Sequence, residues 1–502
     1  MTNMLTSPRC HPEDLGKPIP DAEHAVSVCM PLWEHNVGYE ENDPRIIKKL
    51  SCGYPRFFLH PLVVELFQQC EARFSNDQQC CFAFPSRRVA QRCAHFIKRH
   101  TGQTSMIDDF GVLGIVAVCL PTSAKDVAMA YWKHAGEGIS SRLAQAAMDR
   151  RTLSASGISE KQKVRQRIAD FTESSIDDVY LFPSGMAAIF AAYRAFQKIN
   201  PNRRSVQFGF PYVDILKVQQ KCSSRKSADD TVHLFSNGDE HDLQKLKRLL
   251  LAEPIMGLFC EFPGNPMLKS PDLQQLAELS RKHDFPLLVD DTLCACVNAN
   301  MMPVADLLAT SLTKFFSGAG DVMAGSLVLN ADRSFYDTIK AIIDEDFEDI
   351  LFADDAIVLE QNSRDFEPRV RDLNRTTEQL CEVLRRHPAV ERIDYPKYQT
   401  TKNYQAFMKP DGGYGGLFSI LLHQPAKNAP IFFDALQISK GPNLGTSFTL
   451  CCPYTILAHF DELDFVESCG VSQYLVRVSV GLEDPDWLIA RFTEALDRVV
   501  SY

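Results

Sequence analysis

Three residue groups in this chain have the types and spacing to do chemistry together. They are Lys314 in TSLTKFFSGAGDVMAG, Asp290 at the end of PLLVD, and Ser184-Gly185-Met186 in PSGMAAIF. Lys314 is flanked by Ser311, Thr313, two phenylalanines and glycine-rich chain. An amine among apolar and small residues is desolvated, which lowers its pKa and suits it to Schiff-base formation. The plain alternative is a lysine in solvent. Asp290 closes an apolar strand, and in an open α/β sheet the carboxyl ends of the strands face the ligand crevice. A carboxylate there can pair with a cationic ring nitrogen; alone it is equally a loop acid or a helix cap. Ser184, Gly185 and Met186 open a helix directly after a strand, where free backbone N–H groups make a phosphate cradle. Alone this is a strand-to-helix turn with Ser184 as N-cap. In the order cradle, carboxylate, amine, the three groups form the parts list of a pyridoxal phosphate site.

The elements that must position these groups are legible between 126 and 330. Helix KQKVRQRIADFT leads into strand VYLFPSG, then helix MAAIFAAYRAFQKI and strand SVQFGF. Helix EHDLQKLKRLLLAE, strand IMGLFCEF, helix PDLQQLAELSRKH and strand PLLVDD follow, then LLATSLTKFF and VMAGSLVLN. Apolar strands alternating with amphipathic helices predict an α/β domain around a mostly parallel sheet buried on both faces. Residues 1–125 read as an N-terminal extension. Its first 45 residues are Pro- and acid-rich and predict an extended arm. Val63, Leu66, Phe67 and Cys70 then fall at helical spacing in HPLVVELFQQCEARF. RRVAQRCAHFIKRH is a second helix, and GVLGIVAVCLP a strand closed by proline. Residues 331–502 read as a smaller α+β domain. It has a long helical stretch from SFYDTIKAIIDEDF through RTTEQLCEVLRRH, strands GGLFSILL, SFTLCC and YLVRVSVG, and a final helix DPDWLIARFTEALDRVV.

The chain has 502 residues, 45% apolar and 23% charged, enough for about three domains with a full core. Its net charge of −11 argues against nucleic-acid or anionic-membrane partners, which need a basic surface. The apolar run from 110 to 120 is about half of a spanning helix, so no membrane segment is expected. The N-terminus has no apolar leader core and contains acids, so a cytoplasmic protein is expected. The sixteen cysteines include no Cys-x-x-Cys pair, and the thirteen histidines no His-x-x-x-His. The cysteines read as small buried apolar residues, with no disulfide framework and no metal site.

Several segments carry a resemblance. EFPGNPML, VDDT, SLTK, GDVMAG and VRVSVGLED resemble motifs of the cystathionine γ-synthase group, within the Cys/Met-metabolism family of pyridoxal phosphate enzymes. The likeness runs from about 125 to 502. HAVSVCMPLWEHNVGYEE, GYPRFFLHP, GEGISSR, NSRDF and CPYTILAH resemble the group's long fungal branch. GYPRFF reads as core packing, with an arm docked on another subunit as the alternative. The resemblance implies an aspartate-aminotransferase-like fold (fold type I), pyridoxal 5'-phosphate as cofactor, and a homodimer or homotetramer with sites that borrow residues across a dimer. It implies that Lys314 is the Schiff-base lysine and proton shuttle, and that Asp290 holds the ring nitrogen protonated. Ser184, Gly185 and Met186 would bind the phosphate with Ser311 and Thr313, and Asn265 would meet the ring oxygen. Arg477 would hold the substrate carboxylate by a planar, bidentate pair.

Three positions depart from the family pattern. The segment that usually stacks a tyrosine on the cofactor is Phe208-Gly209-Phe210-Pro211-Tyr212, which puts Phe208 in the stacking place, with Tyr212 nearby. The Tyr-x-Arg that reaches a neighbour's phosphate is matched to Tyr131-Trp132-Lys133, and Asn443 stands in a substrate-side segment usually occupied by serine. The implied activity is γ-replacement on an O-acyl-L-homoserine, with L-cysteine giving L-cystathionine. Alternatives are an enzyme of specialised metabolism joining a carbon or amine nucleophile to the same four-carbon unit, a β- or γ-lyase, or a protein that binds the cofactor without catalysis.

Overall fold

The structure is a computed structural model that describes residues 3–76, 78–152, 156–223 and 230–500. Its strands form three sheets. The first holds β1 (Gln79–Phe84), β2 (Met106–Asp109) and β3 (Val116–Pro121), antiparallel in the order β1-β3-β2. Helix Pro61–Phe74 precedes it, opened by proline at its first position and by the His60 side chain, which accepts from Leu62 N. Its buried face is Val63, Leu66, Phe67 and Cys70, the spacing expected from sequence.

The central sheet contains β4 (Val179–Phe182), β5 (Ser205–Phe208), β6 (Val232–Phe235), β7 (Leu258–Glu261), β8 (Leu287–Asp290), β9 (Leu307–Ser311) and β10 (Gly325–Leu329). The order is β4-β10-β9-β8-β7-β5-β6, and only β10 runs antiparallel to its neighbours. Both faces are covered. Leu288 joins one core with helix Gly185–Ile199, while Leu287 and Val289 join the other with helices Glu240–Ala252 and Leu273–His283. This is the period-two alternation of a strand buried on both sides.

The third sheet contains β11 (Val390–Asp394), β12 (Leu417–Leu422), β13 (Ser439–Lys440), β14 (Leu450–Pro453) and β15 (Val476–Ser479), in the order β11-β12-β15-β14-β13. The long helical stretch expected before it is three helices, Tyr336–Asp346, Ala353–Asn362 and Phe366–Leu384. The N-terminal arm is less extended than expected. It includes helices Trp33–Glu40 and Pro44–Ile47, and Trp33 stacks on Tyr474 at 6.2 Å between ring centres. The first sheet has no separate core. Phe67, Phe82, Phe84 and Trp132 share one apolar cluster with Met186, Ile189, Phe190 and Phe196 of helix Gly185–Ile199. All sixteen cysteines are free thiols, and all but Cys222 are buried. No helix among the described residues is long and apolar enough to cross a membrane.

Candidate active site

Five parallel strands end at one cavity. Beyond β4, Ser184 caps helix Gly185–Ile199 by accepting from Ala187 N at 3.1 Å. Its hydroxyl donates to Gly136 O at 2.8 Å. The N–H groups of Gly185 and Met186 belong to the first helical turn, which has no acceptors of its own. Beyond β5, Gly209 turns the chain at φ +88° and Tyr212 reaches the cavity wall. β7 ends at Glu261, whose carboxylate accepts from the backbone N–H of Asn265 at 2.9 Å and from that of Tyr212. β8 ends at Asp290, whose Oδ1 accepts from Thr292 N at 2.9 Å. β9 ends at Ser311, and Lys314 follows. The carboxyl ends of parallel strands are where an open α/β sheet places a ligand.

The third sheet supplies the opposite wall. Arg477, on β15, donates to Pro442 O at 2.9 Å and Asn265 Oδ1 at 3.3 Å, and its guanidinium lies 4.7 Å from the Tyr454 ring centre. Lys314 Nζ donates to Asn443 Oδ1 at 2.6 Å. Burial pushes the Lys314 ammonium below the ordinary lysine range; Tyr54 opposes this and Arg477 adds to it. Asp290 and Glu261 face each other across the β7–β8 register. Burial raises both carboxyls above their usual range, with Asp291 adding to Asp290 and Asp290 to Glu261. A cation between the strand ends would relieve both.

The cavity is closed by a segment from the far N-terminus. Tyr54, Arg56, Phe57 and Phe58 line it beside Lys314. Lys314 Nζ lies 4.4 Å from the Tyr54 ring centre. Arg56 pairs with Asp214 at 2.7 Å, both side chains being buried, and donates to Tyr212 Oη at 2.6 Å. It also donates to the Lys133 carbonyl. Against burial, Arg56 holds Asp214 down at about 2.

These residues fit pyridoxal phosphate. Lys314 offers a buried amine of lowered basicity, and Asp290 a carboxyl that burial has left short of a cationic partner. The helix start and Ser311 form a tight cradle: a Cβ on Gly185 would lie 2.7 Å from Ser311 Cβ, and one on Gly325 would lie 2.2 Å from Ser184 O. Arg477 adds a guanidinium suited to a carboxylate.

The structure brings Lys314, Asp290, Ser184, Gly185, Met186, Asn265, Ser311 and Arg477 to this one cavity. Asn443 accepts from Lys314 Nζ and stands in the chain between the lining residues Pro442 and Leu444. Other expected residues lie elsewhere. Phe208 is buried at the end of β5, packs on Phe235 at 6.0 Å and lies outside this cavity; the turn carries Tyr212 there instead. The Thr313 hydroxyl bonds the Ala324 backbone, accepting from its N–H at 3.1 Å and donating to its carbonyl at 3.3 Å. Tyr131 is buried and donates to Glu137 at 2.6 Å, and Trp132 packs in the core that the first sheet shares with helix Gly185–Ile199, so neither lines the cavity. Tyr54-Pro55-Arg56 has the Tyr-x-Arg form and stands at the cavity. The GYPRFF segment thus packs against the site.

Comparison with known proteins agrees with this geometry. The profile of the "Cys/Met metabolism PLP-dependent enzyme" family matches residues 154–497, and that of the "Fungal trans-sulfuration enzyme, N-terminal domain" matches 62–140. The chain is 34% identical to the cystathionine gamma-synthase of Neurospora crassa over 97% of this chain and 98% of that protein. It is 32% identical to the Saccharomyces cerevisiae cystathionine gamma-synthase, over 96% and 98% of the two chains. It is 33% identical to the cystathionine gamma-synthase-like enzyme iboG2 of Amanita muscaria, over 96% of each. Among solved structures, the fold matches cystathionine gamma synthase from Xanthomonas oryzae pv. oryzae, in complex with aminoacrylate and cysteine. The TM-score is 0.58 at 19% identity, covering 68% of this chain and 86% of that one. With its lysine, aspartate and helix start gathered at the sheet's carboxyl edge, the chain belongs to the Cys/Met-metabolism family of pyridoxal phosphate-dependent enzymes.

Proposed function

We propose that this enzyme carries out γ-replacement on an O-acyl-L-homoserine, with L-cysteine as acceptor and L-cystathionine as product. The observation that carries the reading is the convergence of Lys314 and Arg477 on one cavity from two different sheets. Arg477, steadied by Pro442 O and Asn265, holds the α-carboxylate of an amino acid. That places Cα toward Lys314, which is the one lysine among the described residues lining the cavity. Its lowered basicity suits it to take a proton from Cα and return one along the carbon chain. Bound pyridoxal phosphate supplies the electron sink that makes the Cα and Cβ protons removable. In the net reaction the Cγ–O bond breaks, a carboxylate leaves, a Cγ–S bond forms, and the thiol proton balances the released acid.

One observation favours a second reading. Val28, Met30, Phe57, Phe58 and Leu457 make part of the cavity wall apolar. Arg56 is already paired with Asp214, so it is not free to bind a second carboxylate. An acceptor with an apolar body, joined through carbon or nitrogen, suits that wall. The test is to incubate protein and pyridoxal phosphate with O-acetyl- and O-succinyl-L-homoserine, with and without L-cysteine, and identify products by mass. Cystathionine is expected. Release of acid without cystathionine supports the second reading; no reaction of either donor overturns both.

We divide the chain for these roles into an accessory region (1–125), a cofactor-binding domain (126–330) and a C-terminal domain carrying Arg477 (331–502). We also place the protein in the cytoplasm, whose reducing poise suits sixteen unpaired thiols.

A further inference from the structure

We propose that Cys81 and Cys119 form an oxidation site, a dithiol that closes to a cross-strand disulfide when a hydroperoxide reaches it and reopens under a reducing thiol. The site belongs to the first sheet and does not depend on the reaction assigned to the cavity.

The sheet register supplies the geometry. Cys81 on β1 stands opposite Cys119 on β3. Facing pairs in an antiparallel ladder alternate between those that exchange backbone hydrogen bonds and those that do not. Just before β1, Thr122 N donates to Gln78 O at 3.1 Å, so 78 and 122 are a bonded pair. Three residues on, 81 and 119 are therefore an unbonded one. Cys81 N accordingly donates to Glu71 Oε1, at 3.1 Å, rather than to β3. Unbonded partners have Cα atoms about 4.5 Å apart and side chains close together on one face. A disulfide needs roughly 4.4–6.8 Å between Cα atoms, so this pair can be joined with both strands left in place. Among the described residues no other two cysteines are register partners. The adjacent pairs Cys80–Cys81 and Cys451–Cys452 lie along single strands and point to opposite faces.

The surroundings suit the chemistry. The two thiols share a hydrogen bond that lowers Cys119 and raises Cys81, whereas burial raises isolated thiols such as Cys93 and Cys260. The thiolate is the reactive form, so Cys119 is the first nucleophile. Both thiols sit in the large apolar core, but the Cys81 sulfur lies 2.8 Å from Ser75 Oγ. Ser75 is half-buried at the end of helix Pro61–Phe74, which puts the pair one hydrogen bond from the surface. With hydrogen peroxide, the Cys119 sulfur attacks one oxygen, the O–O bond breaks, and the thiol proton leaves with the departing oxygen as water. The Cys81 sulfur then attacks the sulfenic sulfur, the S–O bond breaks, and the hydroxyl leaves with the Cys81 proton as a second water. The two thiols lose two electrons and one peroxide gains them.

The test uses the full-length protein loaded with pyridoxal phosphate and treated with hydrogen peroxide. Thiols that remain are alkylated in denaturant, and the protein is digested without reduction. Mass spectrometry is expected to find one peptide pair linking Cys81 to Cys119, lighter than the separate peptides by the two thiol hydrogens. Dithiothreitol should return both to alkylatable thiols. Both cysteines still free after peroxide, or either taken to sulfinic acid without the link, overturns the proposal. Two variants check the pairing. Cys70→Ala removes another core thiol near the pair and should leave the link unchanged. Cys119→Ala should abolish it and leave Cys81 free. If Cys81 then bonds another cysteine as readily, register does not select its partner, and the proposal fails.

Discussion

At the scale of single residues, the site depends on charges taken out of water in matched sets. Asp214 is the clearest case, held at about 2 by Arg56 and His134 although burial pushes it up. Its folded pKa lies below the ordinary carboxyl range, so its contribution to stability is present above about pH 4 and is lost as pH falls toward 2. Urea unfolding midpoints of the wild type are expected to drop across that window. Asp214→Ala leaves Arg56 buried without its partner and is expected to cost about 3–5 kcal/mol. It should also flatten the acid-side slope, and an unchanged slope would show that the pair does not control it. Asp290 and Glu261 work in the opposite sense. Their folded pKa values are raised, so their share of stability is full at low pH and drains away as pH rises toward neutrality. A cation beside Asp290 would offset that loss.

At the scale of elements, the site is a set of strand ends, and this explains what the sequence could show. Asp290 and Lys314 follow apolar strands at the carboxyl edge of the sheet, so strand pattern and side-chain type together pointed to them. Phe208 was the stacking candidate because the resemblance puts it where the family has a tyrosine, but the turn at Gly209 carries the chain on and brings Tyr212 to the cavity. No local periodicity encodes that turn's direction. Tyr54 and Arg56 were hidden for another reason. They lie more than 200 residues before Lys314 and meet it only through the packing of the arm, although the Tyr-x-Arg form at 54–56 was the signal available. Gly185 tests the helix start. A Cβ there meets Ser311 Cα at 2.9 Å and Cβ at 2.7 Å. Gly185→Ala is expected to weaken pyridoxal phosphate binding at least tenfold, about 1.4 kcal/mol, measured by titrating the apo protein. Equal affinity would mean that the cradle does not lie at this helix start.

At the scale of the molecule, the first sheet and the catalytic domain share one core. Phe82 sits in it within 5.2 Å of Phe67, ring centre to ring centre, in a cluster that continues to helix Gly185–Ile199. Phe82→Ala is expected to cost about 3–5 kcal/mol. Helix content and cofactor absorbance should then be lost together at a lower temperature, because the helix that starts at the cradle rests on that core. Two separate melting steps would show that the first sheet is an independent unit. The shared core also has a consequence for how the protein is made. β3 ends at Pro121 and the helix that completes its core ends at Ile199, about 80 residues later. At 5–20 residues per second, a ribosome takes roughly 4–16 s to cover that distance. Throughout that interval the nascent first sheet carries an apolar face whose partner has not been synthesised, so translation speed between 122 and 199 sets how long this surface stays open to chaperones or to aggregation.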